Sequence, residues 1–170
     1  MNNTLNHAWL LTGGNLGDRI KNLGLARSYI DQDCGTIVKA SAVYETSPWG
    51  KTDQPVFFNQ ALEIQTALSP RMLMRAVLKI EKKMGRTRNE KYGARLIDID
   101  ILLFNDEIIH TPSLVLPHPE LPNRRFALVP LAEIAATRLH PVLKKTISQL
   151  LEKCTDNGSV QKIPEGSSGN

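Results

Sequence analysis

The stretch Leu96-Ile97-Asp98-Ile99-Asp100-Ile101-Leu102-Leu103-Phe104 constrains the fold more than any other part of this chain. Side chains on a strand alternate between faces. The pattern therefore predicts a strand whose isoleucines enter a core, with both carboxylates on the other face, roughly 7 Å apart at about 3.3 Å per residue. Two such charges roughly 6 Å apart repel by about 3 kcal/mol at an effective dielectric of about 20, a large share of a domain's net stability. Aspartate is also a poor strand former, so the pair calls for a cation. Hard oxygen donors with no His or Cys beside them suit Mg²⁺, above all Mg²⁺ already carrying phosphates. An ion pair with Arg88 or Arg95, or a strand face simply turned to water, is the plain structural alternative. Either aspartate could also act as a base toward a substrate hydroxyl.

Charge supports an anionic ligand beside that strand. From Arg71 to Arg95 the chain carries nine basic residues and two acidic ones, a local excess of +7 in a chain whose net charge is only +4. A field so confined suits a compact anion better than a long nucleic-acid backbone. Lys79, Lys82 and Lys83 fit a solvated helix face, whereas Arg86 and Arg88 follow Gly85 in a glycine-bounded loop ending at Gly93-Ala94-Arg95. Guanidinium forks there can reach phosphate oxygens, and a loop of this kind can close over a nucleotide.

Periodicity orders the rest. Ala8 to Thr12 reads as a first strand, ended by Gly13-Gly14. Asp18 caps a helix to about Asp33, and Ile37 to Thr46 forms a second strand. Val56 to Thr66 forms a third, with Phe58, Leu62 and Ile64 on one face and Phe57, Asn59, Ala61 and Glu63 on the other. Ser69-Pro70 starts a helix that Gly85 stops, and Leu96 to Phe104 is the fourth strand. Strand-helix-strand-strand-helix-strand is the ferredoxin-like α+β plan, an antiparallel sheet with helices on one face. C-terminal additions follow: a short strand over Glu107 to His110, a helix near Pro130 to Ala136 and another over Lys144 to Lys153. The expectation is one domain over residues 1–154 and a polar, mobile tail over 155–170.

Several classes fall away. No run approaches the roughly 20 apolar residues of a membrane helix, and no secretory signal opens the chain. Cys34 and Cys154 read as reduced, cytoplasmic thiols. The Thr12 to Arg19 segment lacks the Gly-Lys-Ser/Thr ending of a P-loop and reads as a tight turn. Only 5% of the residues are aromatic, too few to make an RNA-reading sheet a good fit.

Other candidates lie in connections. Ser47 to Pro55 is long for a link between strands and holds Pro48-Trp49. Asn59, beside Phe57, can pair with a planar heterocycle stacked on a ring. Pro117-His118-Pro119 and Asn123-Arg124-Arg125-Phe126 offer imidazole, guanidinium and ring.

Taken together, Gly85-Arg86-x-Arg88, Gly93-Ala94-Arg95-Leu96-Ile97-Asp98-Ile99-Asp100, Pro117-His118-Pro119 and Asn123-Arg124-Arg125-Phe126 resemble the 6-hydroxymethyl-7,8-dihydropterin pyrophosphokinases of folate biosynthesis. Gly14 to Arg19 and Gln54-Pro55…Phe58-Asn59 support the likeness, which runs from about Trp9 to Leu150. It implies a monomeric cytoplasmic enzyme that moves pyrophosphate from ATP to the hydroxymethyl group of a dihydropterin and releases AMP. On that pattern Asp98 and Asp100 hold two Mg²⁺ ions, while Arg86, Arg88, Arg95 and His118 serve the phosphates. Backbone at Ile101 and Leu114 borders the adenine. Phe57 and Phe126 sandwich the pterin, Asn59 and backbone near Thr46 and Pro48 read its edge, and Trp49 and Arg124 lie close by. Tyr92 stands where the family often has Trp, Pro119 where a Tyr can follow the histidine, and Gly14 where Ser is usual. Small-molecule substrates are the expected partners, with neither nucleic acid nor membrane. Another Mg-dependent nucleotide transferase on this fold, or a non-catalytic ferredoxin-like module, are the competing readings.

Overall fold

The computed structural model describes residues 4–49, 52–85 and 95–164. Strand β1 (Asn6–Gly14) runs through the middle, pairing antiparallel with β4 (Phe57–Thr66) on one side and β5 (Asp98–Phe104) on the other. Beyond β4 lie β2 (Thr36–Ala40) and β3 (Tyr44–Thr46). With β8 (Val160–Lys162) at one edge, the sheet order is β5-β1-β4-β3-β8, with β2 also on β4, and every pairing in it is antiparallel.

Helix α1 (Arg19–Asp33) starts where expected, because the Asp18 carboxylate accepts the Lys21 N–H. Helix α2 (Pro70–Lys83) opens on Ser69, whose hydroxyl accepts the Met72 N–H, and Gly85 follows it at φ +88°. Both helices pack on one face of the sheet. Leu23, Ala26 and Ile30 of α1 and Leu73, Val77 and Ile80 of α2 share a core with Leu10, Phe58, Leu62, Ile64, Ile99 and Ile101. Helix α1 buries only three residues, so its place depends on this narrow apolar stripe.

The opposite face is covered as well, which departs from the expected one-sided arrangement. Helices α3 (Arg125–Ala135) and α4 (Ile147–Lys153) bring Ala127, Leu128, Leu131, Ile147 and Leu150 against Trp9, Leu11, Ala61 and Leu103. The alternation of β1 supplies both layers: Ala8 and Leu10 enter the first core, Trp9 and Leu11 the second. A bulge between Trp9 and Leu10 leaves Leu102 as an extra residue on β5. Leu102 and Leu103 consequently both join the second core, and Phe104 turns back into the first.

Other boundaries differ from the sequence reading for identifiable reasons. The expected strand over Ile37 to Thr46 breaks in two at Ser41. There the Ser41 Oγ accepts the Ala61 N–H, and Glu133 of α3 accepts the Ala42 N–H at 2.8 Å and the Tyr44 hydroxyl at 2.5 Å. The fourth strand starts at Asp98 instead of Leu96. The extra strand over Glu107 to His110 becomes β6 (Ile109–Thr111), paired with β7 (Leu114–Leu116). Helix α3 starts five residues before Pro130, which sits inside it. Helix α4 starts at Ile147, because Thr146 and Gln149 form a capping box. Part of the presumed tail is ordered: β8 (Val160–Lys162) pairs with β3 and extends the sheet.

Candidate active site

Asp98 and Asp100 leave β5 on the same face, both half-buried, while Ile97, Ile99 and Ile101 are buried on the other. The strand is pinned from behind. Glu81 of α2, 2% exposed, accepts the Ile99 N–H at 2.7 Å, fixing the backbone between the two aspartates. Arg95 Nη1 lies 3.3 Å from Asp98 Oδ2, and both side chains keep some exposure, 16% and 27%.

Asp98 stands opposite Gly13 on β1, and Gly13 stands opposite Asn59 on β4. The three therefore form one row across three strands, and its outer members are separated by two strand spacings, about 10 Å. Asn59 is 5% exposed, and its Nδ2 donates to the Thr46 hydroxyl at 2.7 Å. Phe57 precedes it on the same face, opposite Thr46. A β-carbon on Gly13 would collide with the Asn59 Oδ1.

Across the connection from β3, Ser47, Pro48 and Trp49 form one wall of a small open cleft and Phe126 the other. The Arg124 guanidinium lies near both rings, 4.8 Å from the Trp49 ring centre and 5.6 Å from that of Phe126.

His118 is tied to the free edge of β5, its N–H donating to the Leu102 carbonyl at 3.0 Å. Its Nδ1 accepts the Glu120 N–H at 3.2 Å, so in the neutral ring Nε2 carries the hydrogen and is the donor. Burial pushes its pKa down to about 4, and the nearby Arg124 charge adds to this, while Glu120 and Asp98 oppose it. At neutral pH His118 therefore offers a hydrogen bond without a charge. Leu114, on β7, has its N–H and C=O engaged by the Thr111 hydroxyl, and Ile101 lies in the first core.

The structure thus gathers Thr46, Pro48, Trp49, Phe57, Asn59, Arg124 and Phe126 toward the β3–β4 side and Arg95, Asp98, Asp100 and His118 toward β5. Arg86 and Arg88 lie outside the described residues. Sequence reasoning missed Asn15, which is 3% exposed. Its side chain accepts the Arg95 N–H at 2.9 Å and donates to Gln54 Oε1 and the Pro55 carbonyl, linking Arg95 to the connection before β4. An asparagine between two glycines reads as turn chemistry, so only the fold exposes this second role. Glu81 and Asp156 were missed likewise. An acid on an amphipathic helix and another in a polar tail look solvated until their partners are seen.

A family profile described as 7,8-dihydro-6-hydroxymethylpterin-pyrophosphokinase (HPPK) matches residues 9–136. The chain belongs to this family. Its relatives include the 2-amino-4-hydroxy-6-hydroxymethyldihydropteridine pyrophosphokinase of Bacillus subtilis, 45% identical over 130 residues, 76% of this chain and 78% of that one. The enzyme of the same name from Aquifex aeolicus is 40% identical, over 83% and 88% of the two chains. Larger relatives match this chain over only part of their length. It spans 24% of the Dictyostelium discoideum folic acid synthesis protein FOL1, at 36% identity. It also superposes on Plasmodium falciparum HPPK-DHPS with a TM-score of 0.74 at 19% identity, covering 88% of this chain and 43% of that one, a likeness of fold. The fold so matched is a mixed one, with four α-helices among the described residues and an antiparallel sheet.

Proposed function

We propose that the row Asp98–Gly13–Asn59 is the axis of a pyrophosphoryl transfer, with the nucleotide phosphates at its β5 end and the pterin at its β4 end. Membership of the family makes the chain a pyrophosphokinase of folate biosynthesis, one that moves pyrophosphate from ATP to 6-hydroxymethyl-7,8-dihydropterin and releases AMP. The observation that carries the site reading is the separation of about 10 Å between the carboxylate and amide ends. That span suits a bicyclic acceptor held by its far edge, with its hydroxymethyl group facing the phosphates.

Asp98 and Asp100 fit Mg²⁺. They are two oxygen donors on one half-buried face, and no cluster of three or more His, Cys, Asp or Glu side chains forms among the described residues. The protein thus contributes few ligands and leaves the remainder to phosphate and water, as Mg²⁺ sites do. Two ions bound there would neutralise triphosphate charge and align the attacking hydroxyl oxygen. Arg95, steered by Asn15, contacts that charge, the family likeness gives Arg86 and Arg88 the same role, and neutral His118 donates from Nε2. Backbone at Ile101 and Leu114 borders the adenine. Asn59, Thr46 and the backbone at Pro48 read the pterin edge, and Phe57 and Phe126 stack on it with Trp49 and Arg124 alongside. Catalysis is then positioning and charge neutralisation, with no covalent intermediate.

The reading extends to the fold and setting. The order β5-β1-β4-β2, seen with α1 and α2 on one face, supports a ferredoxin-like core in a single domain that runs past the expected boundary at residue 154, since β8 extends its sheet. A cytoplasmic monomer is the working form, and no described helix is long and apolar enough to cross a membrane.

The test is an assay of purified protein with ATP, Mg²⁺ and 6-hydroxymethyl-7,8-dihydropterin, following nucleotide products. Pterin-dependent AMP is expected. ADP as the product, or turnover indifferent to the pterin, rejects the reading.

A further inference from the structure

The cleft between Trp49 and Phe126 is closed on a third side by residues remote in sequence from both: Asp156, Gly158, Ser159 and Val160. Asp156 is engaged at both carboxylate oxygens. Its Oδ2 accepts the Arg125 N–H at 3.0 Å, and its Oδ1 accepts the Gly158 N–H at 3.0 Å. Arg125 is the first residue of α3, and Arg124 before it supplies no side-chain cap. The carboxylate from the far end of the chain therefore satisfies an amide of that first turn, at the positive end of the helix. Arg124 and Phe126 flank the amide so held.

The same segment grips the other wall. Ser47 donates its N–H to the Ser159 carbonyl, and Ser159 donates its own to the Ser47 hydroxyl, each at 3.0 Å. Pairing of β8 with β3 continues the grip as far as Tyr44. One short stretch thus fastens the Trp49 wall through Ser47 and the Phe126 wall through Arg125. On the phosphate side, by contrast, Arg95 bonds to Asn15 and Asp98, and His118 to Leu102 and Glu120.

We propose that residues 156–160 are a positioning element of the pterin cleft: they hold Phe126, which stacks on the ring, against the Pro48–Trp49 segment beside it, and so set affinity for the pterin independently of the metal and phosphate half. The inference rests on assigning that cleft to the pterin, as above.

The test compares dissociation constants for 6-hydroxymethyl-7,8-dihydropterin, measured with a non-hydrolysable ATP analogue and Mg²⁺ present, and separately for MgATP. Asp156→Ala removes both bonds, and Asp156→Asn keeps an acceptor for one. Gly158→Val keeps the carboxylate but crowds both links, since a β-carbon there lies 3.0 Å from Ser47 Oγ and 3.2 Å from Asp156 Oδ1. Loss of a hydrogen bond to a charged acceptor is expected to weaken pterin binding about tenfold in Asp156→Ala and Gly158→Val, less in Asp156→Asn, with MgATP within about twofold of the parent. Should Asp156→Ala fail to fold, the other two variants carry the test. Equal losses for both ligands, or unchanged pterin affinity, overturn the positioning role. Phe126→Ala separates the two layers of the argument. If it weakens pterin binding while the clasp variants do not, the cleft assignment stands and the clasp is rejected. If it leaves pterin binding untouched, the cleft assignment fails and takes the clasp with it.

Discussion

Gly13 lies directly across from Asn59, and the place a β-carbon would occupy on Gly13 is taken by the Asn59 amide oxygen. Gly13→Ala must displace that amide or bend β1, because the Phe58 carbonyl, 3.3 Å from the same point, blocks the other way out. A methyl forced into a filled site costs about 1–3 kcal/mol. We expect the pterin KM to rise at least about tenfold, with a lower melting temperature and a smaller change in the ATP KM. Steady-state kinetics with each substrate varied in turn, together with a thermal melt, read this out.

Asn59→Ala removes the amide without crowding anything. The Thr46 hydroxyl loses its 2.7 Å donor, yet threonine can turn to another partner. Pterin binding should fall by about 10- to 100-fold, as when a site loses one or two buried hydrogen bonds. ATP affinity should hold. Equal losses for both ligands would show that Asn59 supports the whole sheet and not the pterin alone.

Asp98→Ala and Asp100→Ala should each lower kcat by a factor on the order of 10³, a typical cost of losing an electrostatic clamp on the transition state. Neither should unfold the protein, since both side chains are half-buried and their mutual repulsion is relieved. Calorimetric titration with Mg²⁺ and an ATP analogue checks the metal role apart from turnover. Metal affinity unchanged in both variants would exclude it.

Acid stability should depend on His118. Its folded pKa is lowered to about 4 by burial, below the unfolded value of about 6.5. Between those limits the unfolded chain takes up a proton that the folded chain refuses. The contribution of the buried neutral ring is therefore complete above about pH 6.5 and is lost as pH falls toward 4, amounting to up to about 3 kcal/mol. His140, also lowered by burial, adds in the same direction. Denaturant unfolding of His118→Gln at pH 7, 5 and 4 should show a shallower decline than the parent. An identical decline would place the titration elsewhere.

Glu81→Leu should reveal how much β5 depends on its support. The Ile99 N–H would lose its 2.7 Å acceptor and remain buried without one, a cost of about 1–3 kcal/mol. Glu81→Gln, which keeps an acceptor oxygen, should recover much of it. Chemical denaturation measures the difference, and equal stability of the two variants would deny the bond its role.

Local chemistry made much of this legible beforehand. Asp18 and Ser69 announced their helices because caps are local, and the alternation around Asp98 and Asp100 announced both the strand and its faces. What escaped depends on contacts distant in sequence. Strand β8 is polar and sits at the sheet edge, so only β3 gives it a reason to extend. Pro130 reads as a helix start, yet α3 begins earlier because Asp156 holds its first amide. The break at Ser41 comes from Glu133, more than 90 residues away from Ala42 by one bond. Asn15 and Glu81 carry no motif at all. Their importance appears only once the strands beside them are in register.

The extra residue at Leu102 works like a change of reading frame inside a strand. One end of β5 turns both acids to one face while the other end fills two oily layers. Deleting Leu102 would leave Ile101, Leu103 and Phe104 in plain alternation opposite Leu10, Trp9 and Ala8, with Phe104 still in the first layer and only the Leu102 berth in the second left empty.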